Sequence, residues 1–284
     1  MNTAEEWTAL ARQAEAVGYS TLLVADWIGP LLSPFSALAV AAASTTRLNV
    51  GTWVLANDFR NPVLVAREAA TLALLTEGRF ELGLGAGRTD NGYASLGVRA
   101  DPGGVRLRRL AESVRIIRSL FRGETVTVAG EHYSITGATL YPPLRHRVPL
   151  LLAAAGRRSI ELAGREADVV AIGAFSASRL TEQLAWMRAA AGERYPQIEL
   201  GLRFWVLPEG DEEARRTTEA ILRGTGIGLD EMIRTGAPSV VTGSPAAIAE
   251  QLEERRAAFG LSYVVVSPEV SRAFVPVVER LAGR

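Results

Sequence analysis

Leu72-Ala-Leu-Leu-Thr-Glu-Gly-Arg-Phe-Glu-Leu-Gly-Leu-Gly-Ala-Gly87 is the stretch on which the fold turns. Its first residues close a helix that opens with Asn61 as N-cap and Pro62 at the first helical position and ends near Gly78. Phe80 to Leu84 then reads as a short buried strand. Working upstream, Leu48 to Leu55 is a second strand and Pro34 to Ser44 an Ala-rich buried helix. Thr21 to Ala25 is a further strand, ending in Asp26. Before it, Thr3-x-x-Glu6 opens a first helix with Trp7, Leu10, Ala11, Ala14 and Val17 at helical spacing up to Gly18.

Downstream, a helix is expected from Gly104 to Phe121. Residues 124–147 break the rhythm: Val126 and Val128 alternate between Gly and Pro punctuation, which predicts a hairpin or excursion. Strands then follow at Leu150 to Ala154, Asp168 to Ile172, Ile198 to Leu207 and Tyr263 to Val266. Helices lie at Ser159 to Arg165, Ser178 to Gly192 and from the Ser244-Pro245 cap to Gly260, with one more at the terminus. Asp211 to Gly236 is read as an insertion. Alternating strands and helices require parallel pairing, as a closed barrel or an open doubly wound sheet. Every helix but the first has a strand before it. Either the gene model starts downstream of the true first strand, or a barrel closes without it.

The composition narrows the chemistry. The 284 residues are 48% hydrophobic, and 31 acidic residues balance 31 basic ones, so no broad field attracts nucleic acid or an anionic membrane. All the basic residues are Arg. Without Lys there is no Schiff base, and without Cys no thiolate or iron–sulfur ligation. His132 and His146 lack ligand-like spacing, so no metal is expected. No apolar run approaches the roughly 18 residues of a membrane span, and a cytoplasmic location is expected.

The quoted stretch resembles the helix-to-strand signature of luciferase-like monooxygenases. Val50-Gly-Thr-Trp-Val-Leu55, Asn61-Pro-Val63, Pro149 to Gly156 and Ala163-Gly-Arg-Glu-Ala-Asp168 resemble the same family. The resemblance implies a (β/α)8 TIM barrel of one domain, 1–284, apparently lacking its first strand, with insertions at about 124–147 and 208–240. It points to the branch that transfers hydride between coenzyme F420 and a small organic substrate. An FMN-dependent monooxygenase and a non-catalytic flavin-binding barrel are the alternatives. The Arg-for-Lys composition of a GC-rich genome favours F420. A homodimer through the second and third helices is also implied.

Barrel sites form at the C-terminal ends of strands, which nominates Asp26, the segment Trp53 to Asp58, Gly85 to Asn91, Gly156 to Ser159, Gly173 and Ser267. By resemblance, a non-prolyl cis peptide falls at Trp53-Val54, and Asn57 and Asn91 join Trp53 and Val54 around the ring. Gly83, Gly85 and Gly87 alternate on one face, which either leaves room for a flat ring or accommodates packing. Gly156-Arg157-Arg158-Ser159, at a strand-to-helix turn, suits a cofactor phosphate; pairing of the arginines with Glu161 or Glu166 is the competing reading. Asp26, Trp27 and Asp90 are the catalytic candidates. The family commonly places His after the strand-end acid and, in alcohol oxidisers, Glu where Arg88 stands. Trp27 and Arg88 therefore leave the general acid open among Asp58, Asp90 and Tyr93. His132 and Tyr133 are read as structural, and Tyr141 as able to reach the pocket.

Overall fold

The computed structural model describes residues 3–29, 31–89, 92–222 and 228–282. The chain divides into two compact units, residues 1–153 and 154–284. In the first, α1 (Ala4–Val17) is capped by Thr3, whose side chain accepts from Glu6 N at 3.1 Å, and stops at Gly18, φ 96°, as a left-handed helix end requires. Next come β1 (Thr21–Val24), α2 (Pro34–Ala43), β2 (Asn49–Thr52), β3 (Leu55–Ala56), α3 (Pro62–Leu75), β4 (Phe80–Gly85) and α4 (Gly103–Phe121). The chain then forms the antiparallel hairpin β5 (Val126–Ala129) and β6 (Ser134–Ala138), and reaches β7 (Leu150–Ala154). The hairpin is the one expected from the Gly and Pro punctuation.

The parallel order in this unit is β1-β2-β4-β7, with β3 also paired to β4. Every residue of β4 is buried. Leu82 and Leu84 are sealed, each contributing about 1.5–3 kcal/mol by leaving water. Asn61 caps α3 as expected, accepting from Val63 N at 2.9 Å.

The second unit holds α5 (Arg157–Glu166), β8 (Val169–Ile172), α6 (Ala177–Ala191), β9 (Glu199–Arg203), β10 (Trp205–Pro208), α7 (Glu212–Leu222) and α8 (Leu229–Arg234). It continues with β11 (Val240–Gly243), α9 (Pro245–Phe259), β12 (Leu261–Val265) and α10 (Val275–Leu281). Strands β8, β9 and β12 pair in parallel in that order. Strands β10 and β11 form their own parallel pair, over a core of Trp205, Leu207, Leu222, Leu229, Met232, Ala237 and Val240.

Each of the seven expected strands is present, and two are split. The strand expected over Leu48 to Leu55 is interrupted at Trp53 and Val54, and the one over Ile198 to Leu207 at Phe204. Strand β11 was not foreseen, and the stretch expected as an insertion carries α7 and α8 between β10 and β11. Helix α5 starts two residues before its expected position, at Arg157, because Gly156 already serves as N-cap.

Candidate functional site

In the first unit, the strand ends are organised by a bulge. Gly51 pairs with Glu81, but Leu55 pairs with Leu84, so three residues on one strand face two on the other. The extra length is Thr52-Trp53-Val54, and the Trp53-Val54 peptide is cis, at the bond the family resemblance indicated. The Thr52 hydroxyl replaces the interrupted ladder. It accepts from Gly83 N at 2.7 Å and donates to Gly83 O at 2.8 Å.

The bulge also explains the glycines. A Cβ on Gly83 would lie 1.9 Å from Thr52 O, and one on Gly85 2.8 Å from Val54 Cγ2. The glycine face of β4 is thus filled by Thr52 and Val54, the packing accommodation rather than the open ring face. Gly87, φ 78°, faces the Tyr93 hydroxyl, 2.4 Å from where its Cβ would stand.

Asp26, two residues past the end of β1, is buried and bidentate to Arg60, with its Oδ1 accepting from Nη2 at 2.9 Å and its Oδ2 bonded to Nη1. Its Oδ2 also accepts from Ala56 N at 3.0 Å. A carboxylate engaged in this way holds the end of β3 in place. Trp27 is exposed. Asn57 is buried and donates from Nδ2 to Tyr133 Oη at 3.1 Å, so the hairpin tyrosine read as structural touches a nominated cofactor residue. Burial pushes the Tyr133 phenol above its ordinary pKa.

Asp58 forms a second buried cluster. Its Oδ2 accepts from Tyr93 Oη at 3.0 Å, and its Oδ1 lies 2.9 Å from Arg109 Nη1 without hydrogen-bond alignment, a contact of charges. Arg109 also pairs with Asp101. Burial, then the Asp58 charge, raises the Tyr93 pKa. Tyr93 packs edge-on against Phe59, with centroids 4.9 Å apart. Arg106 bonds the carbonyls of Ala86, at 3.1 Å, and Gly87. Asp58 and Tyr93 are thus turned toward one another. Tyr141 is exposed, and its bond to Pro142 is cis. Asp90 and Asn91 lie outside the described residues.

In the second unit, Ser159 organises the start of α5. Its Oγ accepts from Ala155 N at 3.2 Å and Gly156 N at 3.1 Å, and donates to Gly156 O at 2.8 Å. Arg157 pairs with Glu161 at 2.9 Å and lies 5.9 Å from the Trp186 ring, as the competing reading had it. Arg179 stacks closer on Trp186, at 4.8 Å, and donates to Ala155 O at 3.2 Å. Gln183, fully buried, donates to Ala155 O at 2.7 Å and Gly173 O at 2.9 Å, tying the segments after β7 and β8. Sequence reading missed Gln183 because it falls at a core position of a helix otherwise read by its apolar spacing. Arg158 is exposed.

Among the described residues no group of His, Asp or Glu is set to hold a metal ion. None of the described helices is long and apolar enough to cross a membrane.

A family profile described as luciferase-like monooxygenase matches residues 2–258. An F420-dependent glucose-6-phosphate dehydrogenase of Beutenbergia cavernae is 38% identical over 172 residues, covering 57% of this chain and 49% of that protein. The chain spans about half the length of such relatives. An F420-dependent secondary alcohol dehydrogenase, solved with an F420-acetone adduct, superposes with a TM-score of 0.83 at 21% identity, over 99% of this chain and 95% of that one. A riboflavin lyase solved with modified FMN and riboflavin gives 0.80 at 18% identity, over 99% and 84%. The fold is therefore the α/β luciferase-like one.

Proposed function

The chain belongs to the luciferase-like monooxygenase family, and on that premise we propose that it is an oxidoreductase transferring hydride between coenzyme F420 and a small organic substrate. The observation that carries the choice of coenzyme is the 38% identity to an F420-dependent dehydrogenase. A (β/α)8 barrel belongs to this reading. So does a cytoplasmic location.

The residues present fit such a coenzyme. At the start of α5, the N–H groups of Arg157 and Arg158 have no acceptor among the described residues. A Cβ at Gly156 would meet only Ser159 Oγ, 3.9 Å away. These donors, the positive helix end and the exposed Arg158 suit a phosphate. Ser159 fixes the turn that aims them. In the first unit, half-buried Trp53 and Val54, in the bulge held by Thr52 and by Asp26 through Ala56, would lie along the ring, with Asn57 beside them. When bound, the coenzyme supplies the carbon that gives or accepts the hydride. The protein's part is to bind, orient and exclude water. Asp58 and Tyr93, engaged with each other, support this loop.

The likeness to a flavin-containing structure favours one second reading, an FMN-dependent monooxygenase. Turnover under strict anaerobiosis separates the two. With reduced F420 and a panel of enones, imines and ketones, product should form without oxygen. Product that forms only with FMN and oxygen would sink the proposal, and binding without any turnover would favour a non-catalytic barrel. A homodimer through α2 and α3 is part of the same reading, motivated by the exposed Val40, Leu64, Leu74 and Leu75 on those helices.

A further inference from the structure

Arg203 ends β9, and the fold draws it inward without giving it a carboxylate among the described residues. Its Nη2 donates to Ser267 Oγ at 2.6 Å, and its guanidinium stacks 4.3 Å from the Trp205 ring centroid. The carboxylate whose charge reaches it, Glu269, is exposed and makes no ion-pair contact with it. Burial lowers its pKa below the ordinary arginine value, yet a guanidinium stays charged.

Other part-buried arginines here are spent on structure. Arg60 grips Asp26, Arg109 meets Asp58 and Asp101, and Arg194 bonds the carbonyls of Gly164, Arg165 and Ala167. Arg203 uses one of the five donors a guanidinium carries. Its other nitrogens have no partner among the described residues, and none of them is a buried, unpartnered atom.

The location is one where ligands bind. Arg203 pairs in register with Val265 of β12, and Ser267 follows two residues later, so the C-terminal ends of two neighbouring parallel strands supply the pair. Such ends carry the sites of α/β folds. A small recess lined by Thr217, Ile221 and Glu269 shares Trp205 and Ser267 with this location.

We propose that Arg203, Ser267 and the face of Trp205 form a subsite for an oxyanion group, a carboxylate or phosphate, on the organic substrate. The assignment to substrate rests on the oxidoreductase reading above. A coenzyme phosphate offers the same chemistry, and the experiment separates the two sources.

Calorimetric titration of the full chain with benzoate, phenyl phosphate, neutral benzyl alcohol and, separately, F420 tests this in the wild type, Arg203→Met, Arg203→Lys and Glu269→Gln. Both anions should bind the wild type and weaken about tenfold or more in Arg203→Met. Arg203→Lys should restore part of the loss, and Glu269→Gln should tighten anion binding by removing a like charge. Benzyl alcohol and F420 affinities should not move. Anion binding that is absent, or equal in wild type and Arg203→Met, overturns the proposal. So does a parallel loss for benzyl alcohol with a lowered melting temperature, which marks a structural arginine. Loss of F420 affinity in Arg203→Met assigns the subsite to the coenzyme instead. Failure of F420 to bind the wild type would count against the coenzyme reading alone, because the anion series is read without it.

Discussion

Tyr93 and Gly87 occupy space that neither could yield. A methyl on Gly87 would stand 2.4 Å from the Tyr93 hydroxyl, at φ 78°, so Gly87→Ala combines a clash with backbone strain and should cost about 2–3 kcal/mol. Tyr93→Phe removes the bond to Asp58 and should cost about 1 kcal/mol. Together they should cost about 1 kcal/mol less than their sum, since the hydroxyl is the clashing atom. Urea denaturation of the four proteins measures this, and strict additivity would mean that only the backbone angle demands glycine. The alternating glycines were visible in the sequence, but what fills their space was not. Thr52, Val54 and Tyr93 approach from elsewhere in the chain, and spacing along β4 carries no trace of them. Asp26 was likewise legible as a strand-end acid, while its partner Arg60 was not.

Glu15 sets the join between α1 and β2. Its Oε1 accepts from the N–H groups of Thr46, at 2.8 Å, Arg47, at 2.6 Å, and Leu48, at 2.9 Å. The bonds from Arg47 and Leu48 are the main reason its pKa falls from 4.5 to about 2. A depressed carboxylate pKa stabilises the fold above the unfolded value and loses that contribution as pH falls through the folded one. Stability should therefore drop between pH 4.5 and about 2, and Glu15→Gln should flatten that limb in urea melts taken across the range. An acid limb unchanged by the substitution would show that Glu15 does not contribute to it. Among the elements, helix ends were the most legible, because Thr3, Asn61 and Ser244 announce themselves as caps. The split strands were not, since apolar side chains run on through Trp53 and Phe204 where the pairing changes. The bulge was located only through family resemblance. Strand β11 escaped because Val240–Gly243 is short and its partner β10 was read as the tail of a longer strand.

At the scale of the molecule, the luciferase-like fold was legible because short apolar strands and capped helices alternate along the chain and one stretch carries a family signature. The proposed anion subsite was less so: Arg203 sits inside what reads as an apolar strand, and only the break at Phe204 reveals it as a strand end. Leu75 is 71% and Leu64 58% exposed on α3, more than isolated surface leucines warrant when Val40 and Leu74 are also exposed on the same pair of helices. The wild type should sediment as a dimer at about micromolar concentration, and Leu64→Glu with Leu75→Glu as a monomer; a monomeric wild type would refute the interface. The coenzyme decides between the readings. Titration of the purified chain with F420 and, separately, FMN, followed by calorimetry, should give F420 binding at about micromolar or tighter and FMN at least about tenfold weaker. Tighter binding of FMN, or binding of neither, would rule out an F420-dependent enzyme.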